Sequence, residues 1–373
     1  MHDSRTITSL SARTTRRRLL VIALGLLFAS VFCPVHAQQE QSKQADVPIP
    51  SGPMYTLHVF TNLIQLPTLV LHPNLTPIAS LTPAQFSLSV DNGPVFHPTK
   101  IRVEGEDPIT IGLLLDVGGS QASLNRVIAA AMAGLTPLSL TPRDRIAVFA
   151  FDCLIAAARG APQASAETLS ANIEAAMSKL IVHGHSVVPA CNNKHHVLDA
   201  IATVAKAIST VPGRRIILAV TDGYDRGSKN TWREVHQFAL TFSISIFGLQ
   251  TDGYLPDPFQ VTERRASEDA FSLLCNESGG LALETSRGDL SKTLKHVIDL
   301  LRARYIIEFP RPSNSTSGFH LIDVKVPHRD AIIRASGVIV PLPGDTELYD
   351  PDTVAPDSTL APTQGKRKAI TRP

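Results

Sequence analysis

The stretch that decides the fold is Ile109-Thr110-Ile111-Gly112-Leu113-Leu114-Leu115-Asp116, which continues into Val117-Gly118-Gly119-Ser120. A mostly apolar run that ends in an acid and a Gly-rich turn predicts a buried strand followed by a helix. A second such stretch, Ile216-Ile217-Leu218-Ala219-Val220-Thr221-Asp222, comes about a hundred residues later. The C-terminal ends of parallel strands share one edge of an open sheet, and such folds bind ligands there. We therefore expect the two acids to meet at that edge.

Size and charge exclude some classes of function. The chain has 373 residues, which is enough for one sizeable domain and a smaller one. Its net charge of +2 gives no sign of a nucleic-acid partner. The dense basic run outside the N-terminus, Lys366-Arg367-Lys368, lies in a Pro-rich end and is typical of a solvated tail.

Residues 1–37 have the pattern of a bacterial export signal. Arg16-Arg17-Arg18 precede the apolar stretch Leu19 to Phe32, and Val35-His36-Ala37 offers a small-residue cleavage site. The apolar stretch is shorter than the roughly 20 residues that span a bilayer. We predict export to the periplasm or the exterior, by the Sec or twin-arginine route, with no integral span after cleavage. An uncleaved anchor is the alternative.

Cleavage leaves Cys153, Cys191 and Cys275 in a compartment where disulfides form. An odd number permits at most one internal bridge and leaves one thiol over. The sequence does not select the pair.

The remaining chain divides by pattern. β-type segments flank a central region in which strands and helices alternate, and this predicts a doubly wound, mostly parallel α/β sheet with helices on both faces. The simplest packing joins the two β segments into one small domain; separate β extensions are the alternative. The predicted boundaries are a linker at 38–53, an N-terminal β segment at 54–106, the α/β domain at 107–303, a C-terminal β segment at 304–340 and a disordered tail at 341–373.

Within these segments, predicted strands include Leu57 to Ile64, Phe86 to Val90, Ile109 to Asp116, Arg145 to Phe151, Arg215 to Thr221, Ser243 to Leu249, Leu281 to Thr285, Tyr305 to Phe309, Phe319 to Val326 and Ala331 to Ala335. Predicted helices are Ala122 to Leu135, Ala166 to Leu180, Val197 to Ser209, Trp232 to Leu240, Ser267 to Asn276 and Leu290 to Arg302. Asp91-Asn92-Gly93 has the composition of a hairpin turn.

Several short stretches occur in an order that resembles the von Willebrand factor A domain, and more closely the VWFA-related proteins of acidobacterial-type genomes. The resemblance covers roughly residues 55 to 340. It implies a Rossmann-like A domain between a short β region and a closing β hairpin. The matching stretches are Leu81 to Phe86 with Asp91-Asn92-Gly93, Leu113 to Ser120, Leu140 to Phe149, Leu198 to Ile201, Thr221-Asp222-Gly223, Gly279-Gly280 and Tyr305.

The resemblance also implies a metal-ion-dependent adhesion site with the pattern Asp-x-Ser-x-Ser, then a Thr, then an Asp. Asp116, Ser120 and Asp222 match this pattern, while Gly118 replaces the first serine. At the Thr position an ungapped match places His195, and a gapped match places Ser186. The predicted metal ligands are Asp116, Ser120, Asp222 and Ser186, and their hard oxygen donors suit Mg²⁺, Mn²⁺ or Ca²⁺. The alternative is that the acids cap turns and the Ser120 region caps a helix.

A second cluster is rich in histidine. His183, His185, Cys191, His195 and His196 lie within one predicted loop, and imidazole with thiolate suits zinc or copper. The alternative is a polar surface loop with Cys191 in a disulfide.

Enzyme motifs are scarce. Val117-Gly118-Gly119-Ser120 has neither Gly-x-Gly-x-x-Gly nor a P-loop lysine, and no Gly-x-Ser-x-Gly elbow occurs. We predict an exported, non-enzymatic protein that binds an unidentified protein partner, aided by the divalent cation. A metal-dependent hydrolase at the same acids and a structural envelope module without metal are the alternatives. Catalytic turnover would indicate the first alternative, and indifference to metal the second.

Overall fold

The computed structural model of the chain describes residues 63–117, 132, 139–182, 185–186, 195–251, 270–286, 288–311, 318–336, 338–340 and 362–365, all within one compact unit. The strands are β1 (Leu63–Leu71), β2 (Ser87–Val90), β3 (Lys100–Val103), β4 (Ile109–Asp116), β5 (Arg145–Phe151), β6 (Ile155–Ala157), β7 (Ile181–Val182), β8 (His185–Ser186), β9 (Arg214–Thr221), β10 (Ile244–Thr251), β11 (Ala282–Thr285), β12 (Tyr305–Pro310), β13 (Gly318–His320), β14 (Ile322–Lys325), β15 (Ile332–Ala335) and β16 (Val338–Val340). The helices are α1 (Ala166–Met177), α2 (Val197–Ile208), α3 (Trp232–Thr241), α4 (270–277) and α5 (Leu290–Arg302).

Six strands form the main sheet in the order β11-β10-β9-β4-β5-β6. All neighbours pair in parallel except β5 and β6, which are antiparallel. This is the doubly wound, mostly parallel arrangement predicted from the sequence. The strand that decided the prediction, β4, lies in the interior of the sheet.

Both faces of the main sheet are covered, which explains the continuous apolar run of β4. Successive side chains of a strand point to opposite faces. Leu113 packs in a core with residues of α1 and α5. Leu114 packs in a second core with residues of α2, α3 and α4. Every residue of β4 is buried, as expected for a central parallel strand.

The helices begin where their sequences provide caps. Ser165 accepts a hydrogen bond from the backbone N–H of Thr168 at the start of α1. Thr231 and Glu234 form a capping box at the start of α3. Such caps satisfy backbone donors that have no partner within the helix.

The N- and C-terminal β segments combine in a second sheet. Its order is β15-β1-β12-β3, and every neighbouring pair is antiparallel. Strand β2 pairs separately with β14. A third apolar core, which includes Phe86, Ile307 and Val324, packs here. The buried hydroxyl of Tyr305 donates to Ile78 O and accepts from Leu81 N.

Most predicted elements are confirmed within one to three residues. β4, β5 and α5 have the predicted bounds, and Asp91 and Asn92 adopt the positive φ of a hairpin turn. Two strand predictions need comment. The predicted strand Leu57 to Ile64 is described only at Leu63 and Ile64, which begin β1. The predicted strand Phe319 to Val326 is divided into β13 and β14, because these strands pair with different partners.

Other predictions fall partly outside the described residues. The predicted helix Ala122 to Leu135 is described only at Met132, which is helical and buried. The predicted signal and linker, residues 1–53, lie outside the described residues. In the predicted disordered tail, residues 362–365 are placed against the β2 turn, where Gly365 N donates to Val90 O. Hydrogen bonds join these four residues to the rest of the fold, and the remainder of the predicted tail lies outside the described residues.

The described cysteines agree with the prediction of at most one internal disulfide and one free thiol. Cys153 is in a disulfide, and Cys275 is a buried free thiol. Burial raises the pKa of the Cys275 thiol, so it is inert at neutral pH. The partner of Cys153 lies outside the described residues. Among the helices that the structure describes, none has the length and apolar character needed to cross a bilayer.

Candidate metal centre

Asp116 and Asp222 meet where the order of the sheet reverses. The chain passes from β4 to β5 on one side of β4, whereas β9 and β10 lie on the other side. Asp116 ends β4, and Asp222 follows β9 directly. Crevices at such switch points are the ligand sites of doubly wound folds. The predicted meeting of the two acids is therefore confirmed.

Asp116 is a buried carboxylate whose charge is compensated by polar neighbours. Its side chain is 2% exposed. Thr221 Oγ1 donates a hydrogen bond to Asp116 Oδ2 at 2.8 Å. His195 Nε2 lies 2.8 Å from the same oxygen. A buried charge without such partners is costly, so these contacts stabilise the site.

His195 completes a group that could hold a metal ion. One ligand atom from each of Asp116, His195 and Asp222 lies within 4.8 Å of the other two. In the sequence, His195 occupies the Thr position of the ungapped match and also belongs to the histidine-rich cluster. The structure places its ring beside the two acids.

Three contacts orient the His195 ring. Its backbone exchanges two hydrogen bonds with Arg226, at 2.8 and 2.7 Å. The Phe151 ring lies against it with centroids 5.1 Å apart. Asp152 Oδ1 lies 3.7 Å from Nδ1. The two ring nitrogens therefore face different carboxylates, Nδ1 toward Asp152 and Nε2 toward Asp116.

The acids control the charge of His195. Burial lowers the pKa of the ring, but attraction to Asp116, a hydrogen bond to Asp116, the nearby Asp152 carboxylate and attraction to Asp222 raise it from 6.5 to about 10. This raised pKa favours the imidazolium form of the ring in the absence of a metal. Only a deprotonated nitrogen binds metal, so uptake through Nε2 releases a proton.

Two loops that carry the site are locked together. Asp225 accepts a hydrogen bond from Leu198 N at the start of α2. In return Asp199, on α2, accepts from the backbone N–H groups of Lys229 and Asn230, at 2.9 and 3.0 Å. Gly223 has a φ of +77°, a conformation that favours glycine, in the turn after Asp222. These contacts fix His195 relative to the acids.

The remaining predicted ligands are less completely described. Ser120, His183 and Cys191 lie outside the described residues. Ser186 and His185 form strand β8, which pairs with β7, and their side chains are not described. His196 directly precedes α2, and its Nε2 is buried without a hydrogen-bond partner among the described residues. The predicted second metal site of His183, His185, Cys191, His195 and His196 therefore stays a prediction.

Two residues that contact the site, Asp152 and Thr221, are not among the ligands predicted from the sequence. Asp152 follows β5 and so lies at the same edge of the sheet as Asp116 and Asp222. The rule that selected the other two acids would have found it. No pattern in the sequence indicates the role of Thr221, because Thr is common in strands. Its contact with Asp116 depends on the pairing of β9 with β4 in the sheet.

Comparisons with known proteins give only distant similarities. No protein-family model and no curated protein matches the chain. Among solved structures, proximal thread matrix protein 1 from the mussel byssus matches with 13% identity and a TM-score of 0.40 over 62% of this chain and 50% of that protein. The same mussel protein with a zinc-occupied MIDAS motif matches with 16% identity and a TM-score of 0.36 over 53% of this chain and 49% of that protein.

The vWF domain of the type V pili tip protein Mfa5 from Porphyromonas gingivalis matches with 10% identity and a TM-score of 0.38, over 52% of this chain and 94% of that domain. The chain thus spans about half the length of the mussel protein and almost all of the pilus domain. These similarities are too distant to transfer a function. The class of the fold, a doubly wound α/β sheet of the von Willebrand A and Rossmann-like type, rests on the strand order and the position of the acids.

Proposed function

We propose that the chain is an exported protein-interaction module that binds a protein partner through a divalent cation at the C-terminal edge of its main sheet. The observation that carries the proposal is the convergence of Asp116, His195 and Asp222 at the switch point. Export rests on the signal-like residues 1–37, and Ser120 stays a predicted further ligand.

The donor set is compatible with a divalent cation. Two carboxylates supply negative charge, and an imidazole supplies a nitrogen once its proton is lost. The fixed β4 and β9 strands hold Asp116 and Asp222, and the interlocked loops hold His195. A site on rigid elements keeps its geometry before the ion arrives. A carboxylate from the partner would complete the shell of the cation, which makes adhesion dependent on metal.

The first test is ion-dependent stability. A ligand at about 100 times its Kd stabilises a protein by ~2.7 kcal/mol, which is roughly 5–10 °C in Tm for a domain of this size. We expect the Tm at pH 8 to rise when EDTA is replaced by at least one of Mg²⁺, Mn²⁺, Ca²⁺ or Zn²⁺. Asp116→Asn abolishes this rise. Asp323→Asn, which removes an acid from strand β14, preserves it.

The second test addresses partner binding. Immobilised protein is exposed to envelope proteins of its own source, with the stabilising ion and with EDTA. We expect a partner retained by wild type and by Asp323→Asn with the ion, and lost with EDTA or with Asp116→Asn. Equal Tm values in EDTA and in every ion would refute the cation site. Ion binding without any ion-dependent partner would refute the adhesive role.

A further inference from the structure

We infer that His195 Nε2 is a direct ligand in this centre and that the centre therefore selects Zn²⁺ or a similar transition metal over Mg²⁺ and Ca²⁺. This inference rests on the proposed cation site and names the class of its ion. The resemblance implied a set of oxygen donors, so the nitrogen ligand is a property of this chain.

The first support is the position of Nε2. It lies 2.8 Å from Asp116 Oδ2, and one ligand atom of Asp222 lies within 4.8 Å of both groups. Zinc bonds of about 2.0–2.2 Å to nitrogen and oxygen place neighbouring ligands some 3–3.5 Å apart. Small adjustments of the three side chains would therefore admit the ion.

The second support is the opposite face of the ring. In metal sites the histidine nitrogen that does not bind the ion commonly donates its N–H to a carboxylate, which fixes the tautomer and raises the basicity of the ligand nitrogen. Asp152 Oδ1 lies 3.7 Å from Nδ1, the ring nitrogen that does not face Asp116. Phe151 and the backbone bridge to Arg226 hold the ring in this orientation.

The donor chemistry then selects the ion. Ca²⁺ takes six to eight oxygen ligands, and Mg²⁺ prefers oxygen in octahedral geometry. Imidazole suits zinc, copper, iron and nickel, and carboxylate oxygens also bind zinc. His195 thus converts a site for hard cations into one for borderline cations.

The experiment measures metal binding by titration calorimetry at pH 8, on protein without a histidine tag, with Zn²⁺, Co²⁺, Mg²⁺ and Ca²⁺ as the probes. We expect a Kd for Zn²⁺ that is at least about tenfold below those for Mg²⁺ and Ca²⁺. His195→Thr replaces the nitrogen with a hydroxyl and removes this preference. His328→Thr, at an exposed histidine in the β14–β15 connection, leaves it unchanged.

A second variant isolates the positioning role of Asp152. Asp152→Asn is expected to weaken Zn²⁺ binding by ~10–100-fold without a comparable change for Mg²⁺. Imidazole nitrogen NMR gives a readout that does not depend on any variant, because the resonance of His195 Nε2 moves when the nitrogen binds Zn²⁺.

The outcomes separate the two proposals. Binding of no ion at all overturns both. Binding of Mg²⁺ or Ca²⁺ as tight as that of Zn²⁺, or an unmoved Nε2 resonance in the zinc-saturated protein, overturns the inference and leaves the cation site standing. Where His195→Thr fails to fold in EDTA, the wild-type resonance decides.

Discussion

At the scale of single residues, the hydrogen bond between Thr221 and Asp116 stabilises the site. Thr221 is fully buried, and its hydroxyl donates to the Asp116 carboxylate across the pairing of β9 with β4. A hydrogen bond to a charged group contributes more than one between neutral groups, and a buried charge that loses it is poorly compensated. Thr221 therefore stabilises the buried Asp116 carboxylate, although nothing in the sequence distinguishes it from other strand threonines.

Thr221→Val tests that role. The substitution preserves shape and removes the donor, so we expect a loss of about 1.5–3 kcal/mol in the free energy of unfolding, measured in urea. Thr203→Val makes the same change at an exposed hydroxyl that bonds Asp199 O, and should cost within about 0.5 kcal/mol. Equal losses for both variants would contradict the assignment.

Arg304 forms the most deeply buried ion pair of the described residues. It is 1% exposed and makes two hydrogen bonds to Glu104, at 2.7 and 2.9 Å, with a third to Ser245 Oγ. The pair joins the start of β10 in the main sheet to residues next to β3 and β12 in the second sheet. Its loss would leave a carboxylate buried without a partner.

Arg304→Met is expected to lower the free energy of unfolding by about 3–5 kcal/mol, because it leaves the buried Glu104 carboxylate without its ion-pair partner. The double variant with Glu104→Leu should recover much of that loss. Lys295→Met is the control, because its pair with Asp299 is solvent-exposed and contributes only ~0–1 kcal/mol. Denaturant unfolding of all variants measures the differences, and a double variant as unstable as the single one would argue against the explanation.

Contact between β4 and α2 sets the distance of the helix from the sheet. A Cβ at Gly112 would lie 2.5 Å from Val204 Cγ1, which is closer than side chains approach. The helix that follows His195 therefore packs directly on the strand that ends at Asp116. This close contact links the core of the protein to the geometry of the centre.

Gly112→Ala is expected to destabilise the protein by about 1–3 kcal/mol through overpacking. Val204→Ala removes the clashing methyl groups, so the double variant should lose less than the sum of the single losses. Thermal or urea unfolding of the four proteins in the cycle gives the coupling energy. Additive losses would show that the two residues do not compete for the same space.

The lock between α2 and the loop after β9 depends on the charge of Asp199. Burial raises the pKa of this carboxyl, but hydrogen bonds from Lys229 N, Asn230 N and the Asn230 side chain, with attraction to His196, lower it below its ordinary 3.8. A lowered folded-state pKa contributes stability that is present above the unfolded pKa and lost as pH falls through the folded value.

The pH dependence of Asp199→Asn follows from this sign. The stability difference between wild type and the variant should be complete above about pH 5, and should shrink as the pH falls below 3.8. Urea unfolding between pH 3 and 7 measures it. A difference that stays constant or grows toward acid pH would contradict the assignment.

At the scale of the whole molecule, residues 362–365 pack against the turn after β2 and against His320 of β13. Gln364 Nε2 donates to Asp91 Oδ2 at 2.8 Å and lies 3.2 Å from His320 Nδ1, while His320 itself bonds Asp91. A Cβ at Gly93 would lie 2.5 Å from Gly365 N, so the two backbones approach closely. The segment thus covers a buried acid–histidine pair.

Removal of residues 362–373 is expected to lower Tm by several degrees, because it exposes Asp91 and His320 and removes a hydrogen bond of about 1.5–3 kcal/mol to a charged group. Gln364→Ala should reproduce part of the loss. Removal of residues 369–373 alone serves as the control and should leave Tm unchanged. Calorimetry measures all three, and an unchanged Tm for the longer truncation would show that the contact does not contribute.

The sequence by itself determined the class of the fold and the meeting of the two acids. The apolar runs of the strands and the regular apolar spacing of the helices are local patterns. They specify a doubly wound sheet independently of the loop conformations. Because Asp116 ends one such strand and Asp222 directly follows another, their convergence follows from parallel pairing alone. Asp152 follows from the same rule.

Only the tertiary structure places the His195 ring beside the acids. The sequence assigned Ser186 to this site and His195 to the histidine-rich cluster, because the alignment of a loop with a motif depends on a gap that the sequence does not fix. The bridge to Arg226 and the packing against Phe151 bring His195 to Asp116. Contacts between residues distant in the chain form only when the whole core packs. The sequence therefore shows the donors but not the distances between them.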